Sequence, residues 1–147
     1  MASSHRQYVV FRIDNDEYGA DINKVTIIER MATITRVPKT PPYIKGVINL
    51  RGDIVPVMDL RTRFGIPEKE ADDNTRIVIV EVSNNIGFGI IVDSVVEVLQ
   101  TEESDIESVS GFTGNANLDY ISGVVRSGDR LITLLNLEKL VSELITV

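Results

Sequence analysis

Few residues in this 147-residue chain could carry covalent or acid–base chemistry. His5 is the only histidine and cysteine is absent, which removes Ser-His-Asp and Cys-His schemes and most metal sites. Paired carboxylates occur at Asp72-Asp73 and Glu102-Glu103, inside polar runs of the kind that form solvated faces. The stretch SGFTGNAN (110–117) has glycines but lacks the Gly-Lys-Ser/Thr ending of a phosphate cradle. Lys45 has no acid or phosphate motif beside it. Neither a nucleophile, a base nor a cofactor site emerges, so the expectation is no enzyme, no cofactor and no metal.

One tripeptide remains, Arg51-Gly52-Asp53, set between two apolar runs in YIKGVINLRGDIVPVMDL (43–60). An adhesion role needs an extracellular setting, and tripeptides recur by chance. The plain alternative is a hairpin turn, with Gly52 at φ > 0 and Asp53 tolerating turn geometry. That alternative does not require Arg51, whose planar fork suits carbonyls and carboxylates.

Composition narrows the field further. The formal net charge is −7 and the pI about 4.7, against a nucleic-acid partner and against a polybasic hold on anionic lipid. The N-terminal MASSHRQ has no long apolar core, and no run approaches the roughly 18 apolar residues of a spanning helix. The expectation is a cytoplasmic protein without direct membrane insertion. Tryptophan is absent and aromatics are 5%, against an aromatic cage or base-stacking platform.

The elements that must position any recognition residue are mostly strands. Short β-branched runs recur at 8–13, 26–31, 46–50, 53–58, 76–82, 87–93, 94–99, 123–126 and 130–135, each bounded by turn residues. Such spacing predicts a barrel or sandwich. Pro56 cannot donate to a ladder, so its strand needs an unpaired N–H side there. Leu137, Leu140, Val141, Leu144 and Ile145 form one apolar stripe at helical spacing, with Asn136 as N-cap. A shorter helix is expected after Asp59, stopped by Gly65 and Pro67. PEKEADDNT (67–75) reads as a solvated linker near the midpoint.

The chain also contains an approximate copy of itself. Tyr43–Leu60 overlays Tyr120–Leu137 without a gap. Tyr18-Gly19-x-x-Ile22-x-x-Val25 overlays Phe88-Gly89-x-x-Val92-x-x-Val95. The Gly-Asp pair falls one residue out of step, which predicts a longer turn in one hairpin. Each half has about five strands, the size of a small barrel that is marginal alone. Two such barrels should pack together and leave a groove at their junction.

EYGADINKV (17–25), PPYIKGVINLRGDIVPVMDLRTRFG (41–65), GIIVDSVVEVL (89–99) and YISGVV…GDRLITLLNLEKL (120–140) resemble the CheW family of chemotaxis adaptors, across nearly the whole chain. That resemblance implies an all-β fold of two packed five-stranded SH3-like barrels with a C-terminal α-helix. The approximate halves are 8–66 and 75–147, with a terminal strand free to exchange between them. It implies a non-catalytic coupling protein that joins the cytoplasmic tip of a transmembrane chemoreceptor to the regulatory domain of the histidine kinase CheA. The alternatives are a detached CheW-like domain of a CheA kinase or CheV-type adaptor, or a small-barrel enzyme. By the same resemblance, Ile22, Val25, Arg51, Val95 and Val98 border the receptor groove, where an amphipathic helical tip would dock. Any single member of this apolar set reads first as core. Ile27, Glu29 and Phe112 are the expected kinase-facing residues. Ile27 replaces a more polar residue of many relatives, against a charge-based contact there, and Phe112 could equally anchor its loop.

Overall fold

The short β-branched runs become strands because each has a face to bury and turn residues at its ends. The computed structural model of the chain describes residues 5–82, 86–108 and 120–145. Its strands are β1 (His5–Ile13), β2 (Asp16–Asp21), β3 (Val25–Arg30), β4 (Ile44–Leu50), β5 (Asp53–Asp59) and β6 (Arg76–Val82). They continue with β7 (Ile86–Val92), β8 (Ser94–Glu102), β9 (Ile106–Glu107), β10 (Ile121–Ser127) and β11 (Arg130–Leu135). Two helices follow the last strand of each repeat, α1 (Leu60–Arg63) and α2 (Leu137–Ile145).

These elements form two compact units. Unit 1 takes Met1–Asn23 and Val96–Val147, and unit 2 takes Lys24–Val95. The 67–75 stretch therefore lies inside unit 2 and marks no boundary between units.

Unit 1 holds a six-stranded sheet in the order β8-β1-β2-β11-β10-β9. Five strands were expected, and the sixth is the two-residue β9. Its core joins Tyr8 and Val10 of β1 to Val125, Ile132 and Leu134, with Leu99 and Ile106 packed alongside. Val9, Val10 and Phe11 are all buried. A strand covered on both faces reads as a continuous apolar run, and this is why YVVF carries no alternation. Helix α2 starts as expected. Asn136 Oδ1 accepts from the Lys139 amide at 3.1 Å, and Leu137, Leu140 and Val141 are buried.

Unit 2 holds a five-stranded sheet in the order β3-β6-β7-β5-β4. Ile48, Val55, Val57, Ile77 and Ile79 form its core. Pro56 pairs with Val47 across the β4–β5 hairpin. Val47 sends its own N–H and C=O to Thr35, at 2.8 and 2.9 Å. That pair therefore exchanges no ladder bonds, and the missing Pro56 donor costs the hairpin nothing. Asp59 caps α1, accepting from the Arg61 amide and the Thr62 hydroxyl at 3.3 and 2.9 Å. Arg61 then bonds Asp93 at 2.8 Å and the Pro67 carbonyl at 2.8 Å, which fastens the 67–75 stretch to its own unit.

The internal repeat is structural. Gly19 pairs in parallel with Leu134, and Gly89 pairs in parallel with Val57. The sequence overlay superposes exactly these partners. Both copies also carry an irregularity at the same place, Ile44/Gly46 and Ile121/Gly123. The turns do not differ in length as expected. Leu50 faces Asp53, and Ser127 faces Arg130, so each hairpin turns through two residues.

The repeats exchange strands. The β1–β2 hairpin belongs to the first repeat but completes the sheet containing β8, β10 and β11. The β6–β7 hairpin belongs to the second repeat but completes the sheet containing β3, β4 and β5.

Candidate functional site

The two-residue turn between β4 and β5 is Arg51-Gly52. Both residues have positive φ, 54° and 91°, the signature of a primed hairpin turn matched to strand twist. The Gly52 amide donates to Asn49 Oδ1 at 2.9 Å. The sequence assigned positive φ to Gly52 and a turn role to Asp53. In the structure Asp53 already belongs to β5 and the second left-handed residue is Arg51. A side chain in that region costs roughly 1–2 kcal/mol relative to glycine. Asn or Gly is the unstrained choice, yet an exposed arginine stands there. Strain kept at an exposed tip is a pointer to use.

The other expected groove residues all lie outside the cores. Ile22, in a short 3-10 turn after β2, and Val98 on β8 fall in unit 1. Val25, at the head of β3, and Val95 fall in unit 2. Ile22, Val25 and Val95 are half-buried, and Val98 is 51% exposed. Partial burial is what distinguishes a groove side chain from a core one.

Of the kinase-facing expectations, Ile27 and Glu29 share one face of β3, opposite Ile79 and Ile77 of β6. Ile27 packs against the unit 2 core. The apolar side chain that β3 turns outward is Ile28, 40% exposed. Phe112 lies outside the described residues.

The two most exposed large aliphatics among the described residues were missed by sequence reasoning. Ile54 is 64% exposed and Leu131 is 54% exposed. They occupy the same place in the two repeats, one residue into the strand after each turn. Ile28 and Val98 are likewise equivalent. The repeat overlay contained this signal, because an aliphatic in both copies at a position facing solvent is conspicuous once the turn is fixed.

In unit 2, Met31, Ile34 and Ile91 floor a cleft of about 230 Å³, in which Lys45 pairs with Glu68 and Arg61 with Asp93. In unit 1, Glu17 is buried in a cleft beside Arg130. Arg130 Nε and Arg12 Nη2 donate to it at 2.9 and 3.1 Å, and Arg130 also pairs with Glu97. Burial pushes the Glu17 carboxyl up, but the hydrogen bonds from Arg130 and Arg12, with their charges, outweigh it and hold it below the usual carboxylate value. Such a carboxylate is fixed in its ionised form, suited to pinning strands. Among the described residues no helix is long and apolar enough to cross a membrane.

The sequence profile of the CheW-like domain matches residues 7–144. The chemotaxis protein CheW of Klebsiella aerogenes is 36% identical over 137 residues, covering 93% of this chain and 82% of that protein. CheW of Bacillus subtilis is 39% identical over 128 residues, covering 87% and 81%. The crystal structure of the scaffolding protein TtCheW from Thermoanaerobacter tengcongensis superposes with a TM-score of 0.81 at 36% identity, covering 89% of this chain and 88% of that one.

Proposed function

This chain belongs to the CheW-like family and is a chemotaxis adaptor, and we propose that it couples a chemoreceptor's cytoplasmic tip to the regulatory domain of the histidine kinase CheA. The coupling is non-catalytic and takes place in the cytoplasm. Ile22, Val25, Val95 and Val98 contribute apolar area to a receptor helix, and Arg51 supplies a charged fork to carbonyls or carboxylates at its edge. On β3, the outward-turned Ile28 faces the kinase. Coupling follows if receptor and kinase each make different contacts with the adaptor in the signalling states, because only differential contact energy shifts an equilibrium.

The observation that carries this reading is Arg51 itself. It is exposed, it sits at φ 54°, and nothing in the turn requires its side chain. Two variants test it. Arg51→Gly removes the side chain and relieves the backbone, so stability should stay within about 1 kcal/mol of wild type. Arg51→Glu reverses the charge without changing the turn. Both should weaken binding to a receptor-tip fragment by about tenfold or more, as expected for losing a charged hydrogen bond. Unchanged receptor affinity in either folded variant refutes the assignment.

A further inference from the structure

The β1–β2 hairpin occupies a slot. In the sheet order of unit 1 it lies between β8 on one side and β11 on the other, both from the C-terminal part of the chain. Without the hairpin, β8 and β11 would each present an unpaired edge, and a row of unpaired backbone groups is satisfied only by another strand. The slot is also apolar. Val9, Val10, Phe11, Ile13 and Ala20 of the hairpin are all buried, and Tyr8 and Val10 meet Val125, Ile132 and Leu134. At the β11 side Glu17, Tyr18 and Gly19 pair with Ile132, Thr133 and Leu134. The fit is specific at Gly19, where an added Cβ would approach Leu134 to 2.8 Å.

Unit 2 solves the same problem in the same way. Its β6–β7 hairpin stands between β3 and β5, and Gly89 pairs with Val57 of β5 as Gly19 does with Leu134 of β11. In both units the slot accepts a hairpin from the opposite repeat. The slot therefore recognises a hairpin by its edges, its apolar faces and its glycine, with no need for direct covalent continuity.

We propose that a second copy of this chain is a partner for this slot, and that two copies assemble by reciprocal exchange of their β1–β2 hairpins. Every contact of the exchanged hairpin is one already made within a single chain. The connection that would have to redirect is the short turn at Ile22–Lys24. A tethered hairpin has an effective concentration of roughly millimolar toward its own slot. Exchange therefore competes only when chains fold at a concentration near that value, and it persists afterwards because release requires opening the central strands of a sheet. An exchanged pair would carry every recognition surface twice.

The absence of cysteine makes the test direct. Tyr18 and Thr133 are register partners in the parallel pair, at a strand spacing that a disulfide can bridge. Tyr18→Cys and Thr133→Cys are placed on separate full-length chains, unfolded, mixed and refolded together at about millimolar and at about micromolar concentration. The proposal expects a linkage between positions 18 and 133 of different chains, identified by peptide mass, in the concentrated sample and at least tenfold less in the dilute one. The wild-type chain refolded in the same two ways is measured by light scattering. It should show a species of twice the 16.3 kDa chain mass after concentrated refolding. A chain carrying both cysteines should close the bond within itself when dilute. Wild type that refolds only as monomer at both concentrations overturns the proposal. A wild-type dimer without the interchain 18–133 linkage, while the double-cysteine chain closes its own bond, also overturns it, because the dimer would then form in some other way.

Discussion

Glu17 and Arg130 stand 113 positions apart in the chain, yet Arg130 Nε donates to Glu17 Oε1 at 2.9 Å. Glu17 arrives on the first hairpin, and Arg130 opens the last strand. Arg12 approaches the other carboxylate oxygen, and Glu97 of β8 holds the far side of Arg130. Four charges from β1, β2, β8 and β11 thus meet where the N-terminal hairpin joins strands of the second repeat. An arginine fork on each carboxylate oxygen offsets the cost of burying the charge.

The Glu17 carboxyl lies below its usual value of 4.5 in the folded chain, burial being outweighed by Arg130 and Arg12. A group depressed on folding contributes stability that is fully present above its unfolded pKa. That stability is lost as the pH falls through the folded pKa. Urea midpoints of the wild type should therefore decline on acidification below about pH 4.5. Glu17→Gln should cost roughly 1–3 kcal/mol at neutral pH and should flatten that decline. A variant with an unchanged acid limb would show that other carboxylates carry it.

Arg61 and Asp93 form the corresponding buried pair of unit 2, with side chains 10% and 13% exposed. Asp93→Ala strands the guanidinium and should cost about 3–5 kcal/mol. Arg61→Met with Asp93→Leu removes both charges and should cost much less. Thermal unfolding of the single and double variants measures the difference. An additive double variant would mean that the two side chains do not stabilise each other.

Gly46 and Gly65 both have positive φ, 146° and 75°. An added Cβ at Gly46 would run into the Thr35 carbonyl, while at Gly65 it meets nothing within 4 Å. Gly65→Ala should therefore cost only the left-handed penalty, about 1–2 kcal/mol. Gly46→Ala adds a backbone collision and should cost at least about 3 kcal/mol. Equal denaturation midpoints for the two variants would show that the β4 irregularity relaxes freely.

Much of the fold was legible because its signals are local. The strand runs, the Asn136 cap and the two-copy pattern each rest on a few neighbouring residues. The repeat holds in the parallel partners too, since Gly19 on Leu134 and Gly89 on Val57 superpose in the overlay. Strand exchange was less visible. It depends on which of two equivalent slots a hairpin enters, and near-identical slots leave little trace in a sequence. The 67–75 stretch misled for a related reason. Its polar composition reads as a linker, but Arg61 of the adjacent helix and Lys45 of β4 tie it down.

The proposed recognition residues were legible in part. Ile22, Val25, Val95 and Val98 are recognisable as apolar, but exposure is a tertiary property, and only the structure separates them from Val10 or Ile132. Ile27 and Ile28 look alike in sequence, and the strand pleat decides that Ile28 faces outward. Arg51 was marked by the family resemblance, and the structure adds a second mark, its left-handed backbone.

The central claim is that one chain holds two partners at once. The most direct measurement is the mass of the complex formed when the folded chain is mixed with a receptor-tip fragment and a CheA regulatory domain that do not bind each other alone. The account predicts a single species containing all three, lost when Arg51→Glu is used while the kinase pair remains. A folded chain that binds neither partner, or whose binding of one excludes the other, contradicts it.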